Sequence, residues 1–318
     1  MGKKVLILAG GGGHTSIALA LAQALKGNAE TSFLIPEDDG LSRELLCPYG
    51  SVEELIKGRY PKTSNLLFPF RLLAAFWHAF AQVSKEYDVV VSTGSNFCVP
   101  PALVAWLKSM PVINIESRVA ITKPSKTAKL LTHFSRQTLL QWDEQLKYLK
   151  GIVTGPIFPE KRYTAKDCGY ILVTGGTEGH KQLFDAIAEL DLKKVVLQTG
   201  KVGPEPYKTK HSSWTVITYS TEFEKLIAES SMVITHQGGG TIFEAVLYGK
   251  PLIIVFNPKL TRTADTEDMR VLAKKVGAPF LDHADSETIR SLIFEIRKQE
   301  RPHFENGRVK AAEIILRE

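Results

Sequence analysis

Short apolar runs alternate along the chain with segments in which apolar residues recur at helical spacing. The first run, Lys4–Ala9, leads through a glycine turn into a segment with Ile17, Leu21 and Leu25 on one helical face. The same order of run, glycine turn and helical segment returns from Tyr170 onward. Strands that alternate with helices in both halves predict an α/β fold with two doubly wound, Rossmann-like parallel sheets.

A cluster of breakers at Gly155, Pro156 and Pro159 marks a linker near the middle of the 318 residues. A chain of this length fits two domains, which we expect at 1–155 and 156–318, with the last helix packing back on the first domain. Ligands bind to such sheets at the carboxyl ends of the strands. We expect the two ligand-binding edges to face each other across a cleft.

The segment Leu66–Ala81 is the longest apolar block and follows a polar region, Glu37–Lys62, that contains several breakers. It is compatible with a buried helix under the sheet or with an amphipathic helix in a membrane interface, and the usual fate of apolar segments favours the buried helix. Pro69, Arg71 and His78 interrupt it, so it falls short of the ~20 apolar residues that span a bilayer. We expect neither a signal peptide nor a membrane-crossing segment.

The net charge of +6 is concentrated in the first half, where residues 1–150 hold 17 Lys and Arg against 12 Asp and Glu. A basic half suits an anionic partner such as a diphosphate or an acidic membrane surface, although general solubility explains it equally well. The three cysteines, Cys47, Cys98 and Cys168, stand far apart. This spacing favours reduced thiols in a cytosolic setting over disulfides or a zinc site.

The clearest binding motif is THQGGGTIFEAVLYGKPLIIVF, Thr235–Phe256. It predicts a strand end, a glycine turn, a helix and a second buried strand. A helix that begins behind glycines offers unpaired N–H groups and a positive dipole end to an anion. Glu244 would lie one turn into that helix, where a carboxylate can bind a ribose diol. The motif therefore predicts a nucleotide site.

Two candidate bases lie at the carboxyl ends of predicted strands in the first half. His14 follows the first strand and its glycine turn, and a histidine has the near-neutral pKa that proton transfer needs. Glu116 ends a later strand. From position alone, His14 is equally compatible with a plain helix start, and an ion pair with Arg118 is the favoured interpretation of an isolated Glu116.

These motifs, in this order, resemble a known family. The first half is similar to the Alg14 subunit of the eukaryotic UDP-GlcNAc transferase in GGGGHT (10–15), STGSN (92–96), INIESRV (113–119) and QW (141–142). The second half is similar to its partner subunit, Alg13, in VTGGT (173–177), VITHQGGGTIFEAVLYGKPLIIVFN (233–257) and LAKK (272–275). Both halves together resemble MurG and other inverting transferases of the GT-B fold.

The resemblance implies a role for each matching residue. It implies His14 and Glu116 as the catalytic pair, without saying which is the base. The implied donor-binding residues are Gly175, Gly176, Thr177, Phe223, His236, Gly238, Gly239, Gly240, Thr241 and Glu244. The implied acceptor-binding residues are Gly11, Gly12, Gly13, Thr15, Ser95, Asn96 and Arg118. The chain departs from the family at TADTEDMRVLA (263–273), with Glu267, Asp268 and Met269 near the places that read the donor sugar, so the resemblance leaves that sugar open.

The implied activity is inverting transfer of GlcNAc from UDP-GlcNAc to a dolichyl-type polyisoprenyl diphosphate sugar, most simply GlcNAc, in lipid-linked oligosaccharide and N-glycan assembly. No cofactor or metal is expected, nor a nucleic-acid partner. The enzyme is expected to be cytoplasmic and peripheral at an anionic membrane surface, and homo-oligomer formation stays open. The alternatives are transfer of another UDP-sugar in polysaccharide synthesis, a UDP-GlcNAc epimerase or hydrolase, and a non-catalytic nucleotide-binding module.

Overall fold

The computed structural model describes residues 2–58, 68–260, 265–296 and 302–318. The chain forms two compact units, one of Met1–Glu160 with Phe304–Glu318 and the other of Lys161–His303. The change of unit therefore lies slightly after the expected boundary at 155, and α12 (Arg308–Arg317) belongs to the first unit.

Within its described residues, the first unit contains a seven-stranded parallel sheet in the order β3-β2-β1-β4-β5-β6-β7. The strands are β1 (Lys3–Leu8), β2 (Ala29–Pro36), β3 (Gly50–Leu55), β4 (Val89–Ser92), β5 (Val112–Ile115), β6 (Gln137–Leu140) and β7 (Ile152–Val153). The helices are α1 (Gly13–Leu25), α2 (Gly40–Leu46), α3 (Phe68–Gln82), α4 (Val99–Leu107), α5 (Lys126–Leu131) and the returning α12. Short 3₁₀ turns occupy Asn96–Cys98 and Asp143–Lys147.

The second unit repeats the plan with six parallel strands among its described residues, in the order β10-β9-β8-β11-β12-β13. The strands are β8 (Ile171–Thr174), β9 (Val195–Gln198), β10 (Thr215–Ile217), β11 (Met232–Thr235), β12 (Leu252–Val255) and β13 (Phe280–Leu281). The helices are α6 (Lys181–Ala188), α7 (Glu205–Lys210), α8 (Phe223–Glu229), α9 (Gly239–Leu247), α10 (Thr266–Lys275) and α11 (Ser286–Glu295).

Burial of both faces of the sheet explains why the strands are continuous apolar runs in the sequence. In β1, Val5 and Ile7 face one core while Leu6 and Leu8 face another, because helices cover both faces of the sheet. The helix α12 contributes to the core that contains Val5 and Ile7, through Ala311, Ala312 and Ile315.

The buried-helix interpretation of Leu66–Ala81 is wrong for its described part. Small residues of α3, such as Ala75 and Ala79, are fully buried, whereas four of its large apolar side chains face solvent. The exposed fractions are 70% for Phe70, 56% for Leu73, 62% for Trp77 and 44% for Phe80. These residues recur at helical spacing, so α3 is amphipathic with its apolar face outward. Residues 66 and 67 lie outside the described residues. In the part of the chain that the structure describes, no helix has the length and hydropathy needed to span a bilayer.

Candidate functional site

The parallel register of the first unit brings the predicted catalytic segments to one sheet edge. Leu8 of β1 pairs with Ser92 of β4, which pairs with Asn114 of β5. The glycine turn that follows β1, the Thr93–Asn96 segment and the Glu116–Arg118 segment therefore all leave the sheet at the same edge.

The glycine turn is shaped by close backbone approach. A Cβ atom on Gly10 would lie 1.9 Å from Ser95 Oγ, and Gly11 and Gly12 adopt φ values of +86° and +57°, which favour glycine. The helix α1 begins directly afterwards at Gly13. The N–H groups of His14, Thr15 and Ser16 already donate to the carbonyls of Gly11 and Gly12, at 3.2, 3.0 and 3.3 Å, so the first turn of α1 is closed onto the glycine turn.

One ring nitrogen of His14 is held by a backbone carbonyl. Its Nδ1 lies 2.7 Å from the carbonyl oxygen of Thr93. Because a carbonyl only accepts hydrogen bonds, we infer that Nδ1 carries the proton and Nε2 carries the lone pair. Burial lowers the pKa of His14 below its ordinary value, the hydrogen bond to Thr93 raises it and the charge of Arg118 lowers it. A neutral imidazole whose Nε2 is not used by the Thr93 hydrogen bond can accept a proton.

Glu116 has a different environment. Its side chain is fully buried, Oε1 accepts the N–H of Ser117 at 2.6 Å and Oε2 accepts the N–H of Ser125 at 2.9 Å. Its backbone carbonyl accepts a hydrogen bond from Gln141 Nε2 at 2.6 Å. The carboxylate therefore bridges both ends of the loop between β5 and α5, and its full burial, rather than a lack of acceptor sites, keeps it from an acceptor hydroxyl.

Side chains in and just before the 3₁₀ segment after β6 brace the same loop, and no sequence motif marked Gln145. Gln145 Nε2 donates to the carbonyls of Ser117 and Ala120, at 2.9 and 2.7 Å. Trp142 Nε1 donates to the carbonyl of Arg118 at 2.7 Å. The resemblance had marked QW at 141–142 without a role, and the structure gives both residues a bracing one.

Three predicted acceptor-binding side chains have interior partners. Thr15 Oγ1 lies 2.6 Å from Ser42 Oγ, and Ser95 Oγ accepts the N–H of Phe97 at 3.0 Å. Arg118 is 5% exposed, with Nη1 donating to the carbonyl of Ile157 at 3.0 Å. These positions do not support contact of the three side chains with an acceptor. Asn96, in contrast, is exposed.

In the second unit the two predicted donor turns leave adjacent strands. Thr174 of β8 pairs with Thr235 of β11, so Gly175–Thr177 and Gly238–Gly240 start from the same sheet edge. Gly176 has φ +62° and its N–H donates to Thr174 Oγ1 at 3.0 Å. The helix α9 begins at Gly239 behind the second turn, as the motif predicted.

The His236 ring lies against both turns. A Cβ on Gly176 would be 2.9 Å from His236 Nε2, and a Cβ on Gly238 would be 2.7 Å from Cε1. Burial and the neighbouring His180 lower the pKa of His236 to about 4. The ring is therefore neutral near pH 7, and any side chain at either glycine would collide with it.

Other predicted donor residues lie around these turns. Thr177 is exposed, Glu244 is half-buried one turn into α9, and Thr241 is buried. Phe223 is half-buried and is the first residue of α8, rather than part of the loop before it.

Two supporting arrangements were not predicted, because their members are distant in sequence. Gln237 and Asn257 exchange hydrogen bonds, with Gln237 Nε2 donating to the Asn257 carbonyl at 2.8 Å and the Asn257 N–H donating to Oε1 at 2.7 Å. They tie the end of β11 to the end of β12. In the second arrangement, Glu224 pairs with Arg162 and accepts a hydrogen bond from Tyr248 Oη at 2.5 Å, which connects α8 with the end of α9.

The segment that departs from the family is partly described. Residues 263 and 264 lie outside the described residues. Asp265 caps α10 by accepting the N–H of Asp268 at 2.9 Å. Asp268 and Met269 are buried, so Glu267 is the exposed member of the three positions at which the sequence differs. Among the residues that the structure describes, no group of three or more His, Cys, Asp or Glu could hold a metal ion.

Comparison with known proteins gives a consistent result over both units. The family model "Oligosaccharide biosynthesis protein Alg14 like" matches residues 5–156, and "Glycosyltransferase family 28 C-terminal domain" matches residues 170–314. The chain is 30% identical over 283 residues to the UDP-N-acetylglucosamine–N-acetylmuramyl-(pentapeptide) pyrophosphoryl-undecaprenol N-acetylglucosamine transferase of Clostridium botulinum (strain Alaska E43 / Type E3). That match covers 80% of this chain and 78% of the relative.

Among solved structures, MurG of Acinetobacter baumannii matches with a TM-score of 0.69, 19% identity and full coverage of both chains. The UDP-GlcNAc 2-epimerase of Neisseria meningitidis, bound to UDP-GlcNAc, matches with a TM-score of 0.64 at 16% identity, over 99% of this chain and 98% of that one. Both likenesses concern the fold alone. They confirm the predicted class, two doubly wound α/β units of the GT-B fold.

Proposed function

Because the chain belongs to the MurG-related family of UDP-GlcNAc-dependent glycosyltransferases, we propose that it transfers GlcNAc, with inversion, to a sugar carried on a polyisoprenyl diphosphate. The observation that carries this proposal is the presence, in one chain, of a nucleotide-type edge in the second unit and a neutral histidine at the edge of the first. The Neisseria meningitidis epimerase shares the fold of both units, so the feature that favours a transferase over an epimerase or hydrolase is the Alg14-like family match over residues 5–156.

The second unit would hold the donor. The Gly175–Thr177 turn and the N–H groups that open α9 behind Gly238 suit the diphosphate, because a helix start leaves N–H donors without an intrahelical partner. We assign Glu244 to the ribose hydroxyls and Phe223 to the uracil. The compact packing of His236 against Gly176 and Gly238 supports its role in fixing the distance between the two turns.

His14 is the better candidate for the base, and Glu116 for a positioning residue. His14 presents a neutral imidazole whose Nε2 is unused by its Thr93 bond. Glu116 already accepts hydrogen bonds at both oxygens from backbone N–H groups. In the transfer step, the acceptor hydroxyl oxygen would bond to C1 of GlcNAc while its proton passes to Nε2 of His14. The C1–O bond to the β-phosphate would break, and its electron pair would leave with UDP.

Two specific acceptors fit the proposed class. The Alg14-like match over residues 5–156 supports a GlcNAc-bearing, dolichyl-type acceptor of lipid-linked oligosaccharide and N-glycan assembly. The name of the Clostridium botulinum relative supports an N-acetylmuramyl-pentapeptide acceptor on undecaprenyl diphosphate. The two acceptors differ in both sugar and lipid, so they can be compared directly.

The outward face of α3 supports attachment to an anionic membrane surface at the cytosolic side, where such a lipid acceptor would be met. Trp106, Leu107 and Leu130 add exposed apolar surface on the neighbouring helices α4 and α5. Lys126 and Lys129 on α5 are exposed beside it, and the first half of the chain carries most of the net positive charge. Apolar side chains flanked by lysines suit the boundary between acyl chains and anionic headgroups.

Turnover of radiolabelled UDP-GlcNAc with a panel of acceptors tests the proposal. We expect product only when a prenyl-diphosphate-linked GlcNAc or N-acetylmuramyl-pentapeptide is present, and none from UDP-glucose or UDP-galactose. Conversion of UDP-GlcNAc without any acceptor would favour the epimerase or hydrolase. Binding of UDP without turnover of any UDP-sugar would favour a non-catalytic module.

A further inference from the structure

The carboxylate of Asp39 lies beside the glycine turn of the first unit. A Cβ atom on Gly11 would be 2.9 Å from Asp39 Oδ2. Asp39 follows the carboxyl end of β2, and β2 pairs with β1 in parallel register, so this carboxylate stands at the sheet edge that also carries His14. None of the sequence motifs marks this residue.

A buried hydrogen-bond chain fixes the orientation of this carboxylate. Asp39 Oδ2 accepts from Ser42 Oγ at 2.7 Å, and Ser42 Oγ lies 2.6 Å from Thr15 Oγ1. Because a carboxylate only accepts, Ser42 must donate to Asp39 and Thr15 must donate to Ser42. Ser42 and Thr15 are 1% and 3% exposed. The chain thus runs from the first turn of α1 to a half-exposed carboxylate.

The remaining hydrogen-bond acceptor sites of the Asp39 carboxylate suit a hydroxyl rather than a phosphate. A carboxylate offers about four acceptor sites, of which the Ser42 N–H and hydroxyl occupy two. Asp39 forms no ion pair with a lysine or arginine of the described residues, so its negative charge beside Gly11 would repel a diphosphate. Its role as the N-cap of α2 requires one acceptor oxygen, which asparagine or serine would supply equally well.

We propose that Asp39 binds a hydroxyl group of the acceptor sugar and that the turn Gly10–Gly13 receives this sugar rather than the acceptor diphosphate. This inference rests on the proposed transferase function. It makes Asp39 a specificity-determining residue. Loss of the buried or half-buried charged partner of a bound hydroxyl weakens binding far more than loss of an apolar contact does.

The test compares Asp39→Asn with wild type on a series of prenyl-diphosphate sugars, each of which lacks one hydroxyl. We expect the variant to lose roughly 10- to 100-fold in kcat/KM for the full acceptor, while KM for UDP-GlcNAc changes less than about 2-fold. Wild type should lose a similar factor with one deoxy acceptor, and in the variant that same deletion should cost less than about 3-fold. Asp38→Asn, an exposed neighbour with the same change of charge, should behave as wild type.

The deoxy series separates recognition from a structural role. Equal losses for every deoxy acceptor in the variant and in wild type would overturn the inference, and so would an unchanged kcat/KM for the full acceptor. If Asp39→Asn melts at a lower temperature, Asp39→Ser supplies a second cap-preserving variant for the same series. Failure of wild type to use any acceptor would overturn the proposed function itself, which is a distinct result from a silent Asp39 substitution in an active enzyme.

Discussion

His14 and Glu116 have opposite hydrogen-bonding situations, although the resemblance could not rank them. The Thr93 carbonyl uses one nitrogen of His14 and leaves the other with its lone pair. Both oxygens of Glu116 accept backbone N–H groups, and its side chain is fully buried. Proton transfer needs an accessible lone pair, so these two environments support our proposal that His14 is the base and that Glu116 organises the loop.

Replacing His14 by asparagine should lower kcat by roughly 10²- to 10⁴-fold, the usual contribution of a positioned base. The asparagine amide can still donate to Thr93, so the fold and the KM for UDP-GlcNAc should change little. Steady-state kinetics and calorimetric UDP binding measure these effects. Because the pKa of His14 is lowered, the acid limb of kcat/KM in wild type should lie below pH 6.5, with a plateau at neutral pH.

Glu116→Gln is the matched comparison at the same sheet edge. The amide keeps one acceptor oxygen and loses the other, so we expect a lower melting temperature together with a moderate fall in turnover. The assignment of the base would be overturned if His14→Asn kept wild-type turnover, or if Glu116→Gln alone abolished the acid limb.

At the level of elements, sequence patterns predicted the strands that are buried on both faces and missed the edge strand β3. The strands β1, β4, β8 and β11 are continuous apolar runs, whereas the edge strand β3 has a pattern of alternately exposed and half-buried residues. Its sequence, GSVEEL, carries two glutamates and has no continuous apolar run, so it is not distinguished from the rest of the polar Glu37–Lys62 region. Asp39 lies in that region, so its place beside Gly11 could not be inferred.

The helix α3 shows the opposite limit of prediction from sequence. Its composition predicts a helix, but the sequence does not predict how that helix is oriented. A run with Phe, Leu and Trp predicts a helix but not which face the protein covers. Only the packing of Ala75 and Ala79 reveals that the large apolar side chains are outward. The apolar face of α3 is therefore available to contact a nonaqueous surface. The proposed lipid acceptor requires that this be a membrane surface.

Replacing Trp77 by serine should weaken binding to vesicles that contain an anionic phospholipid by roughly tenfold or more, because burying one large apolar side chain is worth about 1.5–3 kcal/mol. Vesicle flotation measures the bound fraction. Phe294→Ser supplies the control, since Phe294 is 69% exposed but belongs to α11 of the second unit. Equal flotation of wild type and Trp77→Ser, or none of wild type, would contradict the membrane assignment.

At the scale of the whole molecule, buried neutral histidines couple stability to the same pH range in which the proposed base works. The second unit contains His180 and His236, and burial is the main cause that lowers the pKa of each to about 4. In the unfolded chain a histidine titrates near 6.5. Below that pH the unfolded state binds more protons than the folded state, so acid favours unfolding.

The stability lost to acid should therefore appear between about pH 6.5 and about pH 4, where each histidine contributes a slope of at most about 1.4 kcal/mol per pH unit. Thermal melts at pH 7.5, 6 and 5 should show this loss.

His180→Gln should reduce the pH dependence of the free energy of unfolding by about the contribution of one histidine. Glutamine can donate to the Phe256 carbonyl, as His180 Nε2 does at 3.1 Å, and it does not titrate. The exposed His133→Gln variant should keep the wild-type slope. A His180→Gln slope equal to that of wild type would show that this imidazole is not kept neutral by burial. The inference that the histidines at the donor-binding edge are neutral would then have no physical basis. A charged His180 would also change the electrostatic field at the glycine turns that we assign to UDP.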